Sequence, residues 1–221
     1  MTRMFPLFLA LLGFGGFFVA SRFEVSAADP PKYRLVALGV ASDRAVIPNV
    51  PPTPTPEPLP YQGAVVAITL PSAGLTGNAV VERRDTESDL DHERLQEPTH
   101  PSRIAWYDRF GQPGTRATNS MFAAHVDYVR YGRGPFYNLT SAQAGSTLTV
   151  VMDNGAEYYY TVQSVQVIHL NDLDMNAIVY PPLDSSTERI TLISCGGTFV
   201  TYPGGGGEYL SRVILIAERH L

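Results

Sequence analysis

Cysteine is nearly absent from this chain: among 221 residues there is one, Cys195. A single thiol cannot form an intramolecular disulfide, so no cross-linked framework holds the chain together. A lone cysteine is then either a small buried hydrophobe or a reactive group. Charge is also sparse, at 17% of residues with a net charge of −5. From Pro58 onward, 11 Lys and Arg stand against 17 Asp and Glu. That balance lacks the basic patch nucleic-acid binding requires, and no nucleic-acid partner is expected. No internal repeat is visible, and His92 and His100, among the carboxylates of 83–101, show no metal-ligand spacing. What remains is 44% hydrophobic, enough to fill a core, in a chain long enough for one ordinary domain plus a tail.

The tail comes first. From Met4 to Ala20 every residue is apolar, Gly or Pro, with Arg3 before the run and Arg22 after it. This is an export signal, read either as a signal peptide cleaved after Ala27 or as an uncleaved N-terminal membrane anchor. The length of the run, long for a secretory segment, favours the anchor, with the rest of the chain outside the cytoplasm. Residues 28–60 end in Pro51-Pro52-Thr53-Pro54-Thr55-Pro56-Glu57-Pro58. Proline at this density favours extended polyproline II, so the segment reads as a stalk. The folded domain is expected over 61–221.

Within it, segments rich in Val, Ile, Thr, Tyr and Phe recur at short intervals: Gly63 to Leu70, Asn78 to Glu82, Ser120 to His125, Thr147 to Met152, Glu157 to His169, Arg189 to Ser194 and Arg212 to Ala217. Few helical periods separate them, and Asp153-Asn154-Gly155 marks a hairpin turn. The pattern predicts a mainly β barrel or sandwich. The charged stretch from Arg83 to Pro101 reads as a surface loop with room for a short helix.

Chemistry concentrates around Cys195. Arg189-Ile190-Thr191-Leu192-Ile193-Ser194-Cys195-Gly196-Gly197 puts the thiol where a β-branched strand gives way to glycines, expected to open a loop. A strand end is rigid, and glycines let a substrate backbone approach. A cysteine nucleophile also needs a base, since little of it is thiolate at neutral pH. Of the five histidines, His125 ends another strand and leads; His169 sits in an apolar strand, His92 and His100 in the charged stretch, His220 at the terminus. Arg212 opens an almost wholly apolar strand, where an arginine serves either a structural ion pair or an oxyanion.

Thr191-Leu192-Ile193-Ser194-Cys195 resembles the Thr-Leu-x-Thr-Cys signature of sortases, and Ala124-His125-Val126-Asp127 resembles the block that carries that family's histidine. Arg212-Val213-Ile214-Leu215-Ile216-Ala217 resembles its last strand with the arginine. His, Cys and Arg come in that order, 70 and then 17 residues apart. Ser194 stands where the signature has Thr, and Ala124 where Gly is usual. The layout of one N-terminal segment and a stalk resembles the class D, E and F types.

The resemblance implies a closed eight-stranded β-barrel with short helices. It implies a transpeptidase in which Cys195 attacks a threonine carbonyl in the C-terminal sorting motif of an exported protein. His125 would exchange protons with the leaving and entering amines, Arg212 would bind the oxyanion, and Thr191, Ser194 and Gly196 would line or orient the substrate site. The acceptor would be an amine of a cell-wall precursor or a pilin. No cofactor is expected; a calcium site from Asp172, Asp174, Asp184 and Glu188 is the weaker expectation. Two rivals stand beside this reading: a cysteine peptidase that uses water alone, and a non-catalytic exported β-barrel that binds a partner.

Overall fold

The computed structural model describes residues 61–89 and 92–220. The expected signal or anchor segment and the stalk lie outside these residues. Among the described residues no helix is long and apolar enough to cross a membrane.

Thirteen strands account for most of the described chain: β1 Val65–Leu70, β2 Leu75–Thr76, β3 Val81–Arg83, β4 Thr86–Asp89, β5 His92–Leu95, β6 Ile104–Tyr107, β7 Asn119–Ala123, β8 Asp127–Tyr128, β9 Gly132–Arg133, β10 Thr147–Met152, β11 Glu157–His169, β12 Thr187–Thr201 and β13 Gly207–His220. One helix, α1 Met175–Val179, and three single 3-10 turns are the only helical pieces among them. Nine strands form one mixed sheet in the order β2-β1-β10-β11-β13-β12-β7-β6-β3. Its centre is the long antiparallel pair β12 and β13, with β7 parallel to β12. The β-branched composition of 189–194 and 212–217 suits a strand buried on both faces, which is what the sheet centre demands.

Side chains alternate across this sheet. Ile190, Leu192, Val213, Leu215, Ala217 and Phe122 point inward to the main core, where they meet Trp106, Tyr160, Leu148 and Val150. Trp106 stacks on Phe122 at 6.2 Å between ring centres, and its indole Nε1 donates to the Gly111 carbonyl at 3.3 Å. Met121, Ile193, Ile214, Ala105 and Tyr107 point to the other face and form a second cluster. The crossover between β11 and β12 covers it, through Val179 of α1 and the partly buried Leu173, Met175 and Ile178. Asn119 fastens that crossover: its Nδ2 donates to the carbonyls of Ile178 (2.8 Å) and Val179 (3.2 Å).

The sheet is an open, curled half-barrel and not the closed eight-stranded barrel that the resemblance implies. β2 bonds only to β1, and β3 only to β6. Closure needs a backbone ladder between first and last strands, and here side chains bridge the seam instead. Arg83 Nη2 donates to the Gly63 carbonyl (2.8 Å), and Gln112 Nε2 to the carbonyls of Tyr61 (3.0 Å) and Gly63 (3.3 Å). Hydrophobic alternation reports which face a residue takes, not which strand lies beside it.

Two other expectations are corrected. The charged stretch 83–101 is no simple loop: β4 and β5 pair as a hairpin, with Thr86 opposite Leu95 and Glu87 opposite Arg94. Its near-alternation of charged residues is a period-two strand pattern, held by Arg94–Glu87 (2.7 Å) and Arg109–Glu93 (2.5 Å) ion pairs, with Leu95 turned to the second cluster. The glycines after Cys195 do not open a loop either. β12 runs on to Thr201, with a bulge between Gly196 and Phe199, and turns back through Tyr202 to Gly206.

Glu188, at the start of β12, is fully buried. Its carboxylate accepts from Arg219 Nη2 (2.6 Å) and Nε (3.0 Å), from the Tyr160 hydroxyl and from the Gly114 amide. A buried carboxylate stripped of its cation costs roughly 3–5 kcal/mol. Arg219→Met should therefore lower the unfolding free energy by about that amount in urea titration, while Arg94→Met, on the exposed hairpin, should change it by less than about 1 kcal/mol.

Candidate active site

The antiparallel register pairs Cys195 with Arg212 directly. The parallel pairing of β7 with β12 matches Ile193 to Ala123, and His125 follows two residues beyond the end of β7. Positions 125, 195 and 212 share the period-two phase of Ala123, Ile193 and Ile214. All three therefore sit on the face that carries the second cluster, not in the main core. They converge on one cavity of about 70 Å³, lined also by Leu95, Glu97, Pro98, Tyr107, Ala123, Ala124, Ile193 and Ser194.

Each group is held from behind. Gly134 approaches His125 so closely that a Cβ there would lie 2.2 Å from the His125 carbonyl oxygen. Only glycine fits, and it lets the β8–β9 hairpin fold back with Gly134 N donating to Val126 O (2.9 Å) and Phe136 N to His125 O (3.2 Å). The imidazole packs edge-on against Tyr128, 5.0 Å between ring centres. Arg212 Nη1 donates to the main-chain carbonyls of Tyr209 (3.1 Å) and Ser211 (3.0 Å), which fixes the guanidinium plane. Gly196 sits against Val213, whose Cγ2 would meet a Cβ at 2.5 Å, so a larger residue beside the thiol would have to push that buried side chain aside.

Burial dominates the electrostatics. Cys195, His125 and Arg212 are 5%, 2% and 3% exposed. Burial pushes the thiol from its ordinary value near 9 up to about 12, against the pull of the Arg212 guanidinium and with further pushes from Glu97, Asp127 and Glu208. Burial also holds the His125 imidazole down to about 4, opposed by Asp127. Both groups are neutral at pH 7: the proton is on sulfur and the imidazole can accept one.

Of the residues expected from sequence, His125, Cys195, Arg212 and Ser194 line the cavity. Ser194 Oγ donates to the Ala124 carbonyl (3.0 Å), tying β12 to the chain before His125. Thr191 and Gly196 do not line it. Thr191 is fully buried and its hydroxyl donates to Asn119 Oδ1 (2.8 Å), so it steadies the residue that fastens the crossover. Leu95, Glu97, Pro98 and Tyr107 were not anticipated; they come from the β4–β5 hairpin's exit and from β6, segments whose proximity to Cys195 no local pattern reveals.

Three of the other histidines find partners elsewhere. His169 Nδ1 accepts from the Asn171 amide (3.2 Å), His100 Nδ1 bonds with Ser102 Oγ (2.8 Å), and His220 Nδ1 with Thr187 Oγ1 (3.2 Å). The carboxylates considered for calcium are placed apart in role. Glu188 meets Arg219, Asp184 accepts from Ser186 and Thr187, and Asp174 caps α1 through the Ala177 amide (3.1 Å). Among the described residues no three metal-ligating side chains form a group.

A sequence model of the sortase domain family matches residues 68–220. No curated protein sequence matches the chain. Among solved structures it is similar to sortase C2 of Pilus Island 1 from Group B Streptococcus (16% identity, 73% of this chain and 76% of that one, TM-score 0.49). It is also similar to the SrtA sortase from Actinomyces oris (18%, 73% and 82%, 0.49) and to sortase A from Corynebacterium diphtheriae (16%, 72% and 62%, 0.46).

The two buried groups set a pH window for stability. The depressed histidine contributes stability that is present above about 6.5 and is lost as pH falls towards 4, because the unfolded chain binds the proton first. The raised cysteine contributes stability that is present below about 9 and is lost as pH rises towards 12. Other groups titrate in both windows, so each contribution is read as a difference. Denaturant midpoints of Cys195→Ala should fall less steeply than wild type between pH 9 and 10, and those of His125→Asn less steeply between pH 6.5 and 4. Parallel curves would show that these groups keep their ordinary values in the fold.

Proposed function

Because the chain belongs to the sortase family, we propose that it is a cysteine transpeptidase in which Cys195, His125 and Arg212 carry the reaction. The observation that carries this reading is the one cavity shared by the chain's one thiol on β12, a guanidinium on β13 and an imidazole just past the end of β7. The acyl donor is the sorting motif of an exported protein, cleaved at a threonine carbonyl. The acceptor is a primary amine of a cell-wall precursor or a pilin. The N-terminal segment anchors the enzyme at the membrane, with the described domain outside the cytoplasm.

The chemistry follows from the neutral pair. Attack on the carbonyl requires the S–H proton to pass to His125 as the C–S bond forms, so a reactive thiolate is made only with substrate in place. The imidazolium then protonates the departing amine, and the neutral imidazole it leaves behind deprotonates the entering one. Arg212, its plane fixed through Nη1, hydrogen-bonds the oxyanion in a cavity where water competes poorly. Leu95, Pro98, Tyr107, Ala123 and Ile193 supply apolar walls for the peptide.

Cys195→Ala should leave the melting temperature within a few degrees of wild type and abolish turnover, because it removes the thiol and little volume. Arg212→Lys keeps the charge but loses the planar fork. It should lower turnover about 10²–10³-fold; a fall in stability with turnover preserved would assign Arg212 to the fold instead. The decisive measurement is mass spectrometry of the intact protein with threonine-containing sorting peptides, which should detect a thioacyl adduct on Cys195 that a primary amine discharges as an amide. An adduct discharged only by water would assign a peptidase.

A further inference from the structure

One acidic residue lines the cavity around Cys195, and it comes from the segment that follows the β4–β5 hairpin. Glu97 lines the cavity beside Leu95 and Pro98, immediately after β5. The main chain there is pinned: Arg84 Nε donates to the Glu97 carbonyl (2.8 Å), the Tyr107 hydroxyl to the Gln96 carbonyl (2.7 Å), and Gln96 N to the Asp85 carbonyl (2.9 Å). The remaining lining residues are apolar or neutral except Arg212, a fixed cation. This arrangement poses a problem for the second half of the reaction. A primary amine reaches the enzyme as an ammonium ion, and at the thioacyl stage it must approach the same carbon that Arg212 faces. Like charges in a partly enclosed cavity repel, and apolar walls do nothing to offset that.

We propose that Glu97 is the acceptor-binding residue of this site, drawing the ammonium group of the incoming amine past Arg212 and holding it where His125 can take its proton. The inference rests on the transpeptidase reading above and adds the acceptor subsite to it. In this step the amine nitrogen forms the amide bond as the carbon–sulfur bond breaks. The ammonium loses two protons on the way to the amide: one is released to solvent as the free amine forms, and the second passes from the attacking nitrogen to His125 and from there to the departing sulfur, which restores the neutral thiol and imidazole. Glu97 binds and orients and does not itself exchange a proton. A cationic side chain of the donor could use the same carboxylate; the acceptor is favoured because every primary amine carries the charge and must enter beside Arg212.

Two measurements on the full chain test this. In the first, threonine thioesters acylate Cys195, and the product is partitioned between water and an amine, with propylamine and 1,3-diaminopropane as probes. Glu97→Gln should raise the KM for both amines about tenfold and shift the partition towards hydrolysis, with Glu97→Asp restoring much of the difference. Added salt should raise the wild-type amine KM and leave that of Glu97→Gln nearly flat. Equal losses in both branches, with the partition unchanged, overturn the proposal. So does a result in which Glu97→Gln penalises only thioesters carrying a cationic side chain.

The second measurement needs no turnover. Cationic aminoethyl and neutral ethyl methanethiosulfonates each form a mixed disulfide with Cys195 as methanesulfinate leaves. The ratio of the cationic to the neutral rate should fall about fivefold in Glu97→Gln. An unchanged ratio overturns the proposal whatever the enzyme's substrate. Failure of every thioester and peptide to acylate the wild-type thiol, with the charge ratio still falling, would instead sink the transpeptidase reading and leave a cation subsite beside the thiol.

Discussion

The site depends on one constraint, the register between β12 and β13. Antiparallel pairing sets Cys195 opposite Arg212, and side chains opposite each other on one face of a sheet lie close together. Because the side-chain period is two, a slip of one residue would send the thiol into the main core and leave the guanidinium behind. Ten consecutive pairs from Thr187 to Gly196 hold this register before the bulge interrupts it. The parallel strand β7 then needs only to lie alongside to bring His125 to the same end of the sheet.

The same burial that fixes the geometry also keeps the reactive pair uncharged. An imidazole held well below neutrality and a thiol held well above it do not form an ion pair at rest. A thiol kept protonated is a poor target for alkylation and oxidation, since thiolate character governs both. In the proposed reaction the cost is that charge must be created, with Arg212 the fixed positive group offered to receive it. Its Nη1 bonds to Tyr209 and Ser211 are to its own strand, so the donor plane is set by local backbone and not by substrate.

Much of this was legible in sequence because it is local. The alternation of Thr191 to Cys195 and of Arg212 to Ala217 identifies strands, their apolar content identifies the sheet centre, and the order of His125, Cys195 and Arg212 identifies the family. What was not legible depends on neighbours distant in the chain. Openness of the sheet is decided by distant pairing, β2 with β1 alone and β3 with β6 alone, across a seam that only side chains such as Arg83 and Gln112 bridge. Thr191 reads as a substrate contact until Asn119, 72 residues away, is seen to accept its proton. Glu97 looks like one more charge in an acidic stretch until the β4–β5 hairpin folds it against β6. Gly134 is one glycine among many until the return of the chain onto His125 makes its missing side chain a requirement.

The open sheet has a further consequence. Its two outermost strands, β2 and β3, are two and three residues long. An exposed edge is a template on which any extended polypeptide can add itself as an extra strand. For a protein whose proposed task is to meet many unfolded, extended tails, a long bare margin would be a competing trap, retaining clients by backbone pairing alone. Margins this brief offer too few amides and carbonyls to retain a passing chain. The half-barrel can thus remain unsealed without becoming adhesive, and capture is left to the cleft on its face.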